Sequence, residues 1–425
     1  MQIKNIISFI KEIIFFILLF LLVVPMQIKI NGIILNTAII TLTLLAVSYI
    51  VNLLLKSKIK RTTFTIMIIF IAIALYTTIN SLFYSLNDIS MLIRIIIILI
   101  TFFGVLQYVN IFKKYHNDNK ELILKYFILI AVINSIIMIT VFLSEDFKLF
   151  LYSYVQVNDL AKIHLDLNLR MSGLFFSGFA SLSTFNAMVL IMILSVYYTK
   201  KSLTPYQIVY TTIAMIIQFI GIVLSGRTGF LVLFFGLLSL IIFSKYKVFS
   251  NIIKSFILII LFIVIGSSYV DFSEYSEVLD WAFEFIFSAL ENNSFETKST
   301  DILFTNMYFL PENETDIIFG TSNFGRSSNM PYINSDSTYI LFIHGVGIIG
   351  LIILVSIYIY LFYYTYKKRY LSIEINFMLN FILITYIFVS FKDFYYFSYT
   401  GHAQLLFIYL SFLIEDKKYY TKGRI

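Results

Sequence analysis

Twelve separate stretches of this sequence run for about twenty residues with almost no charge, and that pattern leaves few folds open. A helix rises about 1.5 Å per residue, so about twenty apolar residues cross a hydrocarbon core about 30 Å thick. Inside such a segment every backbone N–H and C=O is satisfied, which lipid demands. The runs cover residues 6–25, 33–55, 63–84, 90–111, 122–143, 173–197, 205–224, 228–244, 252–270, 338–364, 373–391 and 396–414. The expected fold class is therefore an all-α polytopic membrane protein with about 12 transmembrane helices, forming a single integral membrane domain over residues 1–425. Composition agrees, since 60% hydrophobic and 13% charged side chains leave too little polar surface for a soluble chain of 425 residues. The first run contains a stretch from Ile13 to Val24 that looks like a signal-peptide core. No small-residue cleavage site follows it, so it reads as a retained helix.

Charge distribution supplies an independent check, because Lys and Arg gather in the cytoplasmic loops of membrane proteins. With the N-terminus inside, 22 of the 31 Lys and Arg fall inside or at the inner boundary, in clusters such as Lys56–Arg61, Lys113–Lys125 and Lys367–Arg369. The outside receives Lys29, Lys148, Lys162, Arg170, Arg227, Lys298, Arg326 and Lys392, and Arg94 falls within a span. Both termini are thus expected in the cytoplasm. The net charge of +7 then reads as a topology signal, and nucleic acid is not an expected partner.

Two outer loops are long. Residues 144–172 mix apolar and polar side chains and suit the interface. Residues 271–337, between the ninth and tenth helices, hold EYSEVLDWAFEFIFSALE, in which Val278, Ala282, Phe285, Ile286 and Leu290 recur at helical spacing with acids between them. That is an amphipathic helix able to rest on the outer leaflet as a lid, or simply to anchor the loop there.

Several chemistries find no support in the sequence. There is no cysteine, and His116, His164, His344 and His402 are scattered without metal-ligand spacing, so no metal and no cofactor are expected. A phosphate loop with its Lys, an Asp-x-Asp pair and a Gly-x-Ser-x-Gly elbow are all missing.

Charged groups on the outer side are the remaining candidates. Arg227, in SGRTGF, sits at an outer turn where glycines admit close approach, a helix start offers N–H groups and a guanidinium adds a bidentate donor; together these suit a phosphate. Arg170, in RMSGLFFSGF, has the same logic before the sixth helix, and Arg326 lies in a Gly/Ser-rich loop. An interfacial arginine snorkelling from a turn would look the same. Asp336 and His344 form the fourth candidate. On one helix Asp336 and Gly347, eleven residues apart, nearly eclipse, and His344 lies about a quarter turn round, so carboxylate and imidazole could face one cavity. Gly345, Gly347 and Gly350 would let a neighbouring helix pack close. Arg94, just inside the fourth helix, could line the same cavity or snorkel.

These motifs carry a family likeness. An Arg-x-Ser-Gly before one helix, a Ser-Gly-Arg-x-Gly turn between later helices, a long outer loop with Phe-Gly-x-x-x-x-Gly, then Asp336-Ser337-x-Tyr339 and Gly347-x-x-Gly350, resemble the O-antigen polymerase and ligase superfamily, closest to Wzy-type polymerases. The ligase branch carries His where Asp336 stands, and that departure favours polymerase over ligase. The double Arg-x10-Gly pattern of some polymerases is not met, since Ser181, Leu238 and Ser337 stand where glycine would follow Arg170, Arg227 and Arg326. The resemblance implies a metal-independent glycosyltransferase of the bacterial inner membrane, with loops 144–172 and 271–337 periplasmic. It would join oligosaccharide repeat units carried on undecaprenyl pyrophosphate, with membrane lipids and optionally a chain-length regulator as further partners. Arg170 and Arg227 would hold the diphosphate and Asp336 or His344 the acceptor hydroxyl, while Arg326, Arg94 and Tyr339 would contact the glycan. A lipid-linked oligosaccharide flippase or polysaccharide exporter is the main rival, with charge spread through its helices where this chain gathers outer polarity in two loops; an O-antigen ligase is another.

Overall fold

The computed structural model describes residues 2–56, 59–84, 89–117, 119–176, 179–198, 204–243, 280–284, 288, 298–325, 331–368, 373–393 and 400–414. Among them, seven helices are long and apolar enough to cross a membrane: Thr37–Leu55, Arg61–Phe83, Ser90–Tyr115, Lys120–Leu143, Phe179–Val196, Pro205–Ser225 and Thr338–Lys367. Three shorter apolar helices lie at Thr228–Ile241, Glu374–Val389 and His402–Ile414. The protein is thus a mostly helical, multi-pass membrane protein by helix length and hydropathy. Each of these ten helices falls on one of the expected runs, and a further helix, Gln2–Val23, covers residues 6–23 of the first run. The run 252–270 is outside the described residues.

Their surfaces explain their solvent. On α2 (Thr37–Lys56) and α3 (Arg61–Phe83), Leu54, Leu55 and Leu82 are more than three-quarters exposed, a cost in water and none against lipid tails. By contrast α8 (Phe179–Tyr198) buries an unbroken run from Ala187 to Leu194, as a helix at the centre of a bundle must. Helix starts follow local chemistry. At α9 (Pro205–Ser225), Thr204 and Gln207 form a reciprocal capping box at 3.3 and 3.1 Å, with Pro205 where a missing N–H costs nothing.

The chain divides into two compact units, one of residues 1–42, 108–293 and 400–405, the other of 43–107, 294–399 and 406–425. In the first unit α8 packs on α9, on α10 (Thr228–Phe243) and on α5 (Lys120–Leu143). This unit also holds a small antiparallel sheet that the helical reading did not foresee. Strands β1 (Gln27–Ile30) and β2 (Ile33–Asn36) are joined at Asn31-Gly32, both at positive φ, the residue pair that a tight hairpin prefers. The first residues of the expected run 33–55 are therefore strand, and helix begins only at Thr37. Loop 144–172 contributes the third strand, β3 (Val155–Gln156), with Gln156 opposite Gln27 and Val155 opposite Ile28. Around β3 the loop forms two short helices, α6 (Glu145–Tyr154), capped by Ser144 accepting from Phe147 N–H at 3.2 Å, and α7 (Asp159–Asp166).

In the second unit, α3 packs against a long helix, Thr338–Lys367, and a short one, Glu314–Phe319, docks on the same helix. After α11 (Lys298–Asn306), we number these α12 (Glu314–Phe319) and α13 (Thr338–Lys367), followed by α14 (Ile373–Val389) and α15 (His402–Ile414). Helix α13 is broken at Gly347, where φ is +64° and ψ −174°. In an unbroken helix the carbonyls of His344 and Gly345 would accept from residues 348 and 349. Here they accept from the backbone N–H groups of Thr321 (2.7 Å) and Ser322 (2.8 Å), which follow α12. Asn80 of α3, itself buried, donates to the carbonyls of Phe319 (2.8 Å) and Gly345 (3.2 Å) and so ties both segments together. A side chain at Gly347 would collide with the carbonyl of Ile318, and one at Gly320 with the backbone of Val346 and Gly347. Two glycines are thus what let the two backbones meet.

Candidate functional site

Arg170 lies in the segment between α7 and α8, and backbone bonds hold that segment against the end of α9. Leu169 N–H donates to the His164 carbonyl (3.0 Å), Met171 N–H to the Leu224 carbonyl (2.8 Å), and Leu174 N–H to the buried Asn134 side chain (2.9 Å). Arg227 occupies the turn between α9 and α10. Ser183 of α8 clasps that turn, donating to the Gly226 carbonyl and accepting from Gly229 N–H at 2.9 Å. Both arginines are therefore held beside the C-terminal end of α9.

Their side chains converge. The guanidinium carbon of Arg170 stands 4.4 Å from the ring centroid of Trp281, and that of Arg227 stands 5.0 Å from the same centroid. Arg170 also lies 5.6 Å from the Phe179 ring. Arg227 pairs with Glu284, one turn beyond Trp281 on the helical stretch 280–284, and its side chain is only 14% exposed. Trp281 and Glu284 come from the amphipathic stretch expected in loop 271–337. Its Ala282 is fully buried, while Val278, Phe285, Ile286 and Leu290 lie outside the described residues. The aromatic face favours cations and the guanidiniums favour anions, and among the described residues two positive charges meet one carboxylate. His164 is beside them, with its pKa below the ordinary imidazole value, first through burial and second through the positive charge of Arg170. Both effects favour its neutral form.

The remaining candidates belong to the second unit, and one geometric expectation fails there. Asp336 does not share a helix with Gly347: α13 begins at Thr338, with Ser337 as its N-cap, and stops being helical at Gly347. No eclipsing of the two along one helix exists, because Asp336 precedes the cap and Thr321 and Ser322 supply the bonds that an unbroken helix would have made past Gly347. Asp336 is exposed between Ser335 and Ser337, both buried. Its neighbours are pinned to the end of α14: Thr338 N–H donates to the Ser390 carbonyl (3.0 Å), and Thr338 Oγ1 to the Asp393 carbonyl (2.5 Å). The Tyr339 hydroxyl donates to the Ile387 carbonyl at 2.8 Å, so that residue anchors α13 to α14. His344 is half-buried, edge-on to Phe309, with Nε2 3.3 Å from the Phe309 carbonyl. Arg94, the fifth residue of α4 (Ser90–Tyr115), is half-buried, and Arg326 lies outside the described residues.

Sequence reasoning missed Trp281, Glu284 and Ser183. Trp281 carried one usable signal, being the single tryptophan of the chain and set in an amphipathic stretch. Nothing local points to the other two. Among the described residues, no group of three His, Asp or Glu could hold a metal ion. Comparison with protein-family models, with curated proteins and with solved structures found no match to this chain.

Proposed function

We propose that this chain is a glycan-chain polymerase of a bacterial inner membrane, joining oligosaccharide repeat units carried on undecaprenyl pyrophosphate at the periplasmic face. The observation that carries the reading is the convergence of Arg170 and Arg227 on Trp281 beside the first turn of α10. Two guanidiniums gathered over one ring form a cradle suited to a diphosphate. In the reaction, an acceptor hydroxyl attacks the anomeric carbon of the donor glycan, the bond from that carbon to the phosphate oxygen breaks, and the lipid diphosphate leaves. Arg170 and Arg227 stabilise the charge that gathers on the departing diphosphate. Glu284 occupies Arg227 beforehand, and a diphosphate, with its greater charge, displaces it. Asp336, exposed at the head of α13, is assigned to the acceptor hydroxyl and takes its proton. The same reading places both termini in the cytoplasm, counts twelve crossings, and sets the large loop between the ninth and tenth.

The broken helix could instead suggest a transporter, in which such breaks lie near the membrane midplane. Here the twenty residues after Gly347, at about 1.5 Å each, already span about 30 Å. The break therefore suits one membrane face better than the midplane.

The test is a strain lacking the gene, complemented with Arg227→Ala or Asp336→Ala and read as a glycan ladder on a gel. Either variant, present in the membrane, should yield single-repeat glycan. Normal long ladders from both would refute the roles given.

A further inference from the structure

A hollow lined by both charged and apolar side chains lies in the first unit, apart from the arginine cluster and unused by the reaction above. Its volume is about 300 Å³, and its walls come from β1, α6, β3 and α7. Lys29, Lys148 and Lys162 line it together with Glu145 and Asp166, which leaves one positive charge in excess. These are three of the eight basic residues placed outside by the charge pattern, brought to one spot by the sheet and two short helices. Lys148 is buried, and it donates to Glu145 Oε2 (3.0 Å) and to Asn168 Oδ1 (3.1 Å). An ammonium has three N–H bonds, so one direction remains beyond these two. Lys29 and Lys162 are exposed at the rim. Tyr152 and the buried Val155, Val157 and Leu165 add an apolar side, and the pairing of Val155 with Ile28 fixes that wall in a sheet.

The mixture of groups narrows the ligand. A bare phosphate would meet the carboxylates of Glu145 and Asp166 as well as the lysines, and an apolar ligand would leave the third N–H of the buried ammonium unmet. A sugar ring bearing a carboxylate answers every wall: its acid group accepts from ammonium, its hydroxyls donate to carboxylates, and its C–H face covers Tyr152 and the valines. The volume is at the small end for ligand pockets, suited to one or two rings. We propose that this hollow binds an acidic sugar residue, with Lys29, Lys148 and Lys162 at its carboxylate and Glu145 and Asp166 at its hydroxyls. The hollow adjoins the segment of Arg170, because the Tyr152 hydroxyl lies 3.3 Å from that of Ser172, two residues further on. Assigning the sugar to the growing glycan rests on the polymerase reading; the binding itself does not.

The experiment is titration calorimetry of the full chain in lipid nanodiscs with glucuronate, glucose and inorganic phosphate as probes. Glucuronate is expected to bind at least about tenfold more tightly than glucose, and the double variant Lys29→Gln/Lys162→Gln to lose about tenfold of that affinity, as expected when charge-assisted hydrogen bonds are removed. Asp166→Asn, also at an exposed position, should weaken glucuronate binding too. Equal binding of glucose and glucuronate, displacement of glucuronate by equimolar phosphate, no heat with any probe, or unchanged affinity in the folded double variant each overturns the proposal. No lipid carrier and no turnover enter this measurement, so its failure is separable from a failure to extend glycan.

Discussion

Arg170 and Arg227 lie over one indole, their guanidinium carbons 4.4 and 5.0 Å from the ring centroid of Trp281. Two like charges brought so close repel unless something of opposite character stays near them. The ring face and Glu284 meet that need in the structure described here, and both come from the stretch 280–284. An anion entering the cluster must therefore disturb Trp281 or its partner charges.

Because Trp281 is the only tryptophan, its fluorescence reports on this cluster alone. Titrating the nanodisc-embedded protein with inorganic pyrophosphate should change the emission to a saturating plateau. Arg170→Gln and Arg227→Gln should each weaken that response about tenfold or more, since each removes a charge-assisted donor. A wild-type protein whose emission ignores pyrophosphate would count against a diphosphate cradle.

The break in α13 gives a stability prediction. Gly347→Ala places a side chain at φ +64° and ψ −174°, a conformation nearly confined to glycine, which costs about 1–3 kcal/mol before its collision with the Ile318 carbonyl is counted. Asn80→Leu removes one donor from each of the Phe319 and Gly345 carbonyls, which keep the Tyr76 hydroxyl and Ser322 N–H, at about 0.5–1.5 kcal/mol for each hydrogen bond lost. Both should lower the unfolding temperature in detergent. Limited proteolysis should then cut within residues 298–325 first, because both changes release the segment that follows α12. Wild-type resistance in both variants would mean that the segment is not held at the break.

The crossing helices were legible because length and apolarity alone decide them in a bilayer. The hairpin was half legible: Asn31-Gly32 is a turn signal, but apolar residues on both sides read equally well as the start of a span, and only pairing with Val155-Gln156 settles the matter. Gly347 illustrates a harder case. A glycine within an apolar run suits close helix packing and a helix break alike, and what selects the break is Thr321 and Ser322, supplied from a distant loop. Likewise Arg170 and Arg227 each announced themselves by local turn chemistry, whereas their convergence depends on Trp281, whose spacing carries no information about either. Asp336 was identified as a residue and misjudged in its geometry, since Ser337 caps the helix that was to include it.

His164 supplies a pH dependence. Its folded pKa lies below the ordinary 6.5, so the unfolded chain binds the proton more readily. The stability from keeping it neutral is complete above pH 6.5 and is lost as pH falls through the folded value. Thermal unfolding should therefore drop between pH 7.5 and pH 5.5 in the wild type, and by less in His164→Gln, which has no proton to take up. An identical drop in both proteins would assign the acid sensitivity to other groups.

The last prediction concerns three polar side chains deep in the first unit. Ser135, Asn186 and Gln218, from α5, α8 and α9, are fully buried and have side-chain atoms with no hydrogen-bond partner among the described residues. Ser135 and Asn186 flank Gly221, where an added Cβ would stand 2.6 Å from one and 3.0 Å from the other, and Gln218 lies one turn before that glycine. Each polar group left unmatched in such an interior costs about 1–3 kcal/mol, so a purely structural role predicts that Gln218→Leu, of similar volume, raises the unfolding temperature. A stabilised variant with intact glycan ladders makes Gln218 a tolerated imperfection of packing. A stabilised variant with shortened ladders assigns Gln218 to function, because stability gained together with activity lost is what removing a strained functional group produces. A variant that unfolds earlier than wild type contradicts the absence of a partner, and shows that Gln218 is held by an interaction that leucine cannot make.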